Sequence, residues 1–303
     1  MNNKVVLKIV AICAGVLLVF GVLGAVLAIV TIPDRLDDGK GFTFGGGEPF
    51  EYHKDEVLEL DGITKINIDS VSTDVIFYQS DKNLEVTLDV KGYTRSETIT
   101  LETEEIGNVL NVKVKYPKFT FGDWGGLNIT DSLLQIGIPA DYAESLYVSG
   151  VSCDIEIQDG ISNVFTKLDL GTVSGTAKVS CEQIEYLEFD STSGDLIVAN
   201  TLIDMLSVDT TSGDIEVSNI NSENGSINVN TVSGSVKIEY SALCKTKINT
   251  TSGDIELLVP AGSKMDLDYD SVSGDLSGDY STSSDGVKLT VDTVSGDLHI
   301  ENN

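Results

Sequence analysis

The sequence predicts an all-β fold, a right-handed parallel β-solenoid of about 20-residue coils behind one transmembrane helix. Three observations carry that prediction. One unit recurs nine times, and seven copies centre on Gly175, Gly194, Gly213, Gly234, Gly253, Gly274 and Gly296, neighbours standing 19 to 22 residues apart. Apolar residues alternate with period two on either side of that centre. The residue before it is serine in every copy, including the two in which Thr73 and Cys153 replace the glycine.

Each unit reads as strand, corner, strand. Counting from the glycine, apolar residues fall at −7 and −5 and again at +2 and +4; for Gly234 these are Ile227, Val229, Val236 and Ile238. Such alternation means two short strands that each bury one face. Parity slips by one between them, so the chain turns a corner where glycine supplies backbone angles that a Cβ would forbid. Position −3 shares the inward parity and is small: Ser70, Gly150, Thr172, Ser191, Thr210, Thr231, Thr250, Ser271 and Thr293. Its hydroxyls are expected to stack beneath the corner and satisfy backbone groups there. A third apolar cluster, Leu202, Ile203, Ile220, Leu243 and Val259, is expected to form the third side of each coil. Coils this short bury their strands only by stacking in parallel, and parallel crossovers are right-handed. A two-sheet sandwich of the same strands is the alternative.

In chain order, residues 1–8 carry Lys4 and Lys8 and form a short cytoplasmic tail. Residues 9–32 are uncharged and mostly apolar, a run whose helix is long enough to cross a bilayer. Asp34, Asp37 and Asp38 follow it, so the positive-inside bias puts the bulk of the chain outside the cell. A cleaved signal peptide, cut near Val26-Leu27-Ala28, is the competing reading, although signal cores are shorter. Residues 33–56, with Gly45-Gly46-Gly47, read as a flexible spacer, and 57–303 as the solenoid.

The first coil runs from about Leu58 to Tyr78, and the next recognisable unit lies 80 residues on. The insert between, 78–145, holds the alternating runs Leu84–Val90, Thr98–Leu101 and Leu110–Val114, read as longer antiparallel strands with turns near Gly92 and Gly107-Asn108. It also holds the aromatic segment from Tyr116 to Gly126 with the single Trp124, either a ligand-binding loop or a hairpin capping the core. Ile138-Pro139-Ala140 precedes Cys153 by the same 14 residues that separate Val259-Pro260-Ala261 from Gly274, which marks Cys153 as a true repeat position. At the far end, Leu298 to Asn303 leave the last coil with an open strand edge, a place for a partner or a second copy to pair.

The repeated Thr-Val-Ser-Gly-Asp-Ile/Leu unit behind one N-terminal span resembles the bacterial putative-adhesin family of β-strand-repeat proteins, a domain of unknown function that includes LiaG-like envelope proteins. The resemblance covers residues 58–303 and is densest over 150–300. It implies a solenoid at the cell surface or envelope, encoded in some relatives near envelope-stress systems. It offers no agreed catalytic residues.

Charge narrows the partners. Setting Lys4 and Lys8 aside leaves 17 of the 19 basic residues against 48 acidic ones, a net charge of −31 on the external part. That balance argues against nucleic acid and disfavours docking on anionic headgroups; an envelope protein or glycan stays open. Aspartate recurs at +1 and again, with asparagine, at −4; Asp254, Asp275 and Asp297 are the metal candidates, for Ca²⁺, against the plainer reading that each Asp accepts hydrogen bonds from its own turn. Cys13 lies in the span, Cys181 and Cys244 stand three coils apart, beyond disulfide reach, and Cys153 fills a glycine slot. No cofactor motif appears. Arg35 and Arg95 lie outside the repeats, and His53 and His299 lie at opposite ends, with no serine-histidine pairing in sequence, so catalysis is not expected.

Overall fold

The computed structural model describes residues 48–94, 98–117, 127–221 and 225–303. The tail 1–8, the span 9–32, residues 33–47 of the spacer and residues 118–126 of the aromatic segment, with Trp124, lie outside the described residues. The described chain is all β, and none of it is a helix able to cross a membrane.

The chain enters through β1 (Glu48–Leu58) and turns its first corner between β2 (Lys65–Asp69) and β3 (Asp74–Ser80). Then come β4 (Leu84–Thr94), the hairpin of β5 (Thr100–Ile106) and β6 (Val109–Lys115), and β7 (Leu127–Pro139). Corners follow regularly from there: β8 (Ser145–Ser149), β9 (Ile155–Thr172), β10 (Ala177–Ser191), β11 (Leu196–Val198), β12 (Leu202–Ser212), β13 (Ile215–Asn221) and β14 (Ser226–Ser233). The last are β15 (Val236–Ala242), β16 (Lys245–Asn249), β17 (Ile255–Val259), β18 (Met265–Ser271), β19 (Leu276–Gly278), β20 (Val287–Thr293) and β21 (Leu298–Asn302).

Two walls meet at the corner. The first runs β5-β6-β2-β8, then the closing halves of β9 and β10, then β12-β14-β16-β20-β18. The second runs β1-β4-β7-β3, the opening halves of β9 and β10, then β11-β13-β15-β17-β21-β19. Parallel, in-register stacking decides for the solenoid over the sandwich. Residues at −7, −5, +2 and +4 fill the interior: Leu187, Phe189, Leu196 and Val198 are fully buried in one coil, Ile227, Val229, Val236 and Ile238 in another. On the third side Ile203, Ile220, Leu243 and Val259 are buried as expected, but Leu202 is 40% exposed. Asn200, at φ 55, turns the chain so that Thr201 faces inward, where it accepts the Cys181 N–H at 3.0 Å, and Leu202 faces out.

The insert is the N-terminal cap. β2 and β3 pair directly with β8 and β9 across it, while β4 and β7 prolong the second wall and β5–β6 the first. The walls are stitched at that end by β1: Tyr52 Oη accepts the Leu101 N–H, and Lys54 Nζ donates to the Leu101 carbonyl, both at 3.2 Å. Two expectations are corrected here. Residues 48–56 are strand and not spacer, because Phe50, Tyr52 and Lys54 alternate against the buried face of β4. Gly92 lies within β4 and not at a turn; it marks a bulge where a Cβ would sit 2.2 Å from the Asn128 carbonyl oxygen. The turn at Gly107-Asn108 stands, with Gly107 at φ +67.

The far end differs from the chain order. The last coil, β20–β21, is not outermost: β20 lies between β16 and β18, and β21 between β17 and β19. The expected open edge on the C-terminal coil is therefore corrected; the outer coil is β18–β19. Composition explains the exchange. β20–β21 supplies a full inward set, Leu289, Val291, Leu298 and Ile300, all 0% exposed. The coil outside it replaces the second +4 apolar residue by Gly278 and alternates Asp266, Asp268 and Asp270 with Leu267 and Tyr269, a charged strand suited to an edge.

Candidate functional site: the glycine corner and the outer coil

The seven glycines form one column. A Cβ on Gly213, Gly234 or Gly253 would lie 2.1 Å from the carbonyl oxygen of the glycine one coil before, and the column continues Gly253, Gly296, Gly274 at 2.1 and 2.0 Å. Gly175, Gly234 and Gly253 also hold φ near +150, a region side chains rarely enter. Cys153 escapes the rule because position −3 of its coil is Gly150, where a Cβ would meet Cys153 Sγ at 2.0 Å. At Thr73, Ser70 Oγ accepts the Thr73 N–H and donates to the Thr73 carbonyl, and Tyr116 Oη sits 2.7 Å from Thr73 Oγ1.

The −3 hydroxyls are buried, but Ser191, Thr210, Thr231, Thr250 and Thr293 have no hydrogen-bond partner among the described residues. The expectation that they satisfy the corner holds for Ser70, for Thr172, which donates to the Ser174 carbonyl at 3.2 Å, and for Ser271, which accepts the Gly274 N–H at 2.7 Å, and is corrected for these five. Neighbouring coils do that instead: the N–H at −1 reaches the carbonyl at −2 of the adjoining coil, as in Ser193 to Val173 and Ser212 to Thr192.

Aspartate at +1 bonds to the next coil, not to its own turn. Asp74 accepts from the Asp154 N–H, Asp154 from Thr176, Asp195 from Asp214, and Asp214 from Ser235, at 2.7 to 2.9 Å. Asp254 accepts from Asp297 at 3.1 Å and Asp297 from Asp275 at 2.9 Å. Each carboxylate thus fills the acceptor place the corner removes from the ladder, a charge-assisted bond worth about 1.5–3 kcal/mol. Asp254, Asp275 and Asp297 line up as expected, yet their oxygens face successive N–H groups. No acid, histidine or cysteine group able to hold a metal gathers among the described residues. In the outer coil Asp275 has no further coil to bond.

The −4 column lies on the outer face of the first wall. Lys113 pairs with Asp69 at 3.0 Å, Ser149 donates to Asp69, Asn230 donates to Asp209, and Asn249 to Asn230. Asp190 faces Asp209 in register, and burial, helped by that neighbour, pushes its carboxyl up to about 6. Beside it, Lys167 bridges Asp169 and Glu188, and lysines cover the Tyr147 and Tyr186 rings, Lys65 at 3.5 Å and Lys167 at 5.1 and 5.2 Å. Those faces are spoken for as stacking platforms.

One arrangement escaped the sequence. Stacking β19 on β21 brings Ser277 Oγ to 2.9 Å from His299 Nδ1, whose Nε2 lies 2.9 Å from Glu301. A nucleophile, a base and an acid are thereby in contact, but on an exposed sheet face that excludes no water. The signal was in the register, since Ser277 and His299 both stand at +3 of successive units, those of Gly274 and Gly296. Cys153, Cys181 and Cys244 are free and buried, and burial raises their thiols to about 11, 12 and 11.

This column of glycine corners, with its aspartate clamps, defines a β-repeat solenoid. The chain belongs to the Toastrack DUF4097 family, whose model matches residues 63–302. Solved structures it resembles include a putative adhesin from Bacteroides fragilis NCTC 9343, 15% identical, covering 84% of this chain and 97% of that one at a TM-score of 0.46. A putative lipid binding protein from Parabacteroides distasonis ATCC 8503 is 18% identical, covering 86% and 98%, also at 0.46. A putative cell adhesion protein from Clostridium sporogenes ATCC 15579 is 11% identical, covering 84% and 100%, at 0.30. No curated protein matches the chain.

Proposed function

We propose that the chain is a membrane-anchored, non-catalytic interaction module displayed outside the bacterial cell, an acidic right-handed solenoid serving adhesion or envelope-stress sensing. The observation that carries the reading is the asymmetry of the solenoid: β1 and the insert close one end, next to the apolar run 9–32 in sequence, and the outer coil leaves the other end unpaired. Successive coils rise about 4.8 Å, so the walls hold the open end roughly 50 Å from the capped one.

Topology is the test. The three solenoid cysteines are buried, so Ser284→Cys on the exposed loop before β20 gives a clean target. A membrane-impermeant maleimide should label it in intact cells, and deleting 9–32 should free the chain from carbonate-washed membranes. Labelling only after lysis would reject the display. Labelling of Ser277 by a fluorophosphonate probe would reject the non-catalytic part.

A further inference from the structure

The outer coil is an open strand edge with side chains of two kinds. Met265 is already covered on that side, its N–H bonded to Ser281 and its carbonyl to Ser283. In a parallel strand successive residues point their N–H and C=O groups to opposite neighbours. Leu267, Tyr269 and Ser271 share Met265's parity, so their backbone groups face away from β20. On the second wall Asp279 bonds inward to Ile300, which leaves Leu276 and Gly278 facing outward in the same way. Toward the core Leu267, Tyr269 and Leu276 are only half-buried, whereas the same positions one coil inward are sealed. On the outer face Asp266, Asp268 and Asp270 stand exposed in a row, with Asp275 and Asp279 across the corner.

We propose that this edge, β18 with β19, docks an extended segment of a partner in which basic residues alternate with apolar ones. A strand added to β18 turns every second residue over Leu267 and Tyr269 and sets the others beside the three aspartates. Lysine or arginine in the second set meets opposite charge directly across the ladder, a favourable cross-strand pair. Asp275 then repeats the clamp made by Asp74, Asp154, Asp195, Asp214, Asp254 and Asp297, accepting an N–H from the incoming chain as Asp297 accepts that of Asp275. Charge selects the occupant. A second copy would lay its own aspartate row against this one, so the edge repels self while attracting a basic strand. The inference rests on the interaction reading above but not on the chain's address.

The test uses the full chain in neutral nanodiscs and a fluorescent nine-residue peptide alternating Lys with Val. Anisotropy should show saturable binding that weakens with salt, about tenfold weaker for Asp266→Asn/Asp268→Asn/Asp270→Asn, three exposed changes that leave the core intact. A peptide N-methylated at alternate amides keeps its charge but cannot pair, and should lose binding altogether. Equal binding of the methylated peptide would reduce the effect to diffuse attraction and overturn the proposal. Concentration-dependent dimers abolished by Leu267→Lys would overturn it in favour of a second copy. Peptide binding by a chain that fails the maleimide test would sink the display and leave the docking edge standing.

Discussion

Gly234→Ala tests the corner column most directly. An added Cβ would lie 2.1 Å from the Gly213 carbonyl oxygen and 2.8 Å from its carbon, both backbone atoms that cannot swing aside. The residue would also sit at φ +150, at a cost of about 1–3 kcal/mol for a side chain. Relieving the overlap means opening the stack by about 1 Å, and the bonds that resist are Gly213 N–H to Ser233 at 3.2 Å and Ser235 N–H to Asp214 at 2.8 Å. Overpacking of that kind costs about 1–3 kcal/mol, so the two together come to roughly 2–6 kcal/mol. Gly107→Ala is the control: φ is +67, nothing lies within 4 Å, and only about 1–2 kcal/mol of strain applies. Urea denaturation followed by circular dichroism should separate the two, and hydrogen exchange should rise first in the coils around Gly213 and Gly253, since each coil leans only on its neighbours. Equal stability of the two variants within about 1 kcal/mol would refute the claim that backbone approach, and not turn conformation alone, demands glycine there.

Other changes probe the same architecture. Thr231→Val keeps the shape and deletes a buried hydroxyl without a partner, so it should raise the unfolding midpoint, by about 1 kcal/mol; a loss would mean the hydroxyl is bonded. Asp214→Ala should cost about 1.5–3 kcal/mol by stripping the Ser235 N–H of its acceptor, with Asp214→Asn recovering most of it through the amide oxygen. Asp190 binds its proton more tightly folded than unfolded, so its contribution is present below the ordinary pH near 4 and is lost as pH climbs through about 6. Asp190→Asn, able to donate to Asp209 as Asn230 does, should flatten that part of the pH–stability curve and stabilise the protein at pH 7 by on the order of 1 kcal/mol after solvent screening.

What could be read in the sequence was whatever repeats along the chain. Period and parity placed Ile227, Val229, Val236 and Ile238 inside, and the serine-glycine centres at a common corner. What two coils do to each other was less legible. Asp214 looks like an ordinary turn aspartate until the Ser235 N–H is seen to come from the next coil. Thr210 and Thr231 look like useful hydroxyls until the corner N–H groups beside them are seen to bond neighbouring coils, as Ser212 does to Thr192 and Gly234 to Ser252. The order of the last two coils was written in Gly278 and in the aspartates of β18, but a repeat pattern names the faces of a strand and not its neighbours. In β1 the charges of Glu48, Glu51 and Asp55 disguised an edge strand as a linker.

The exchanged order of the last coils bears on how the molecule is made. Residues 265–278 leave a ribosome before 287–302, yet among the described residues their in-register neighbours along both walls are the strands that follow. Until β20 and β21 arrive, Leu267, Tyr269 and Leu276 lack the strands that flank them in the finished walls, and completing the rod sets the later segment beneath the earlier one like a drawer under a lid. Removing residues 287–302 would therefore strip β18 of β20 and β19 of β21, so that two layers of the rod depend on one segment.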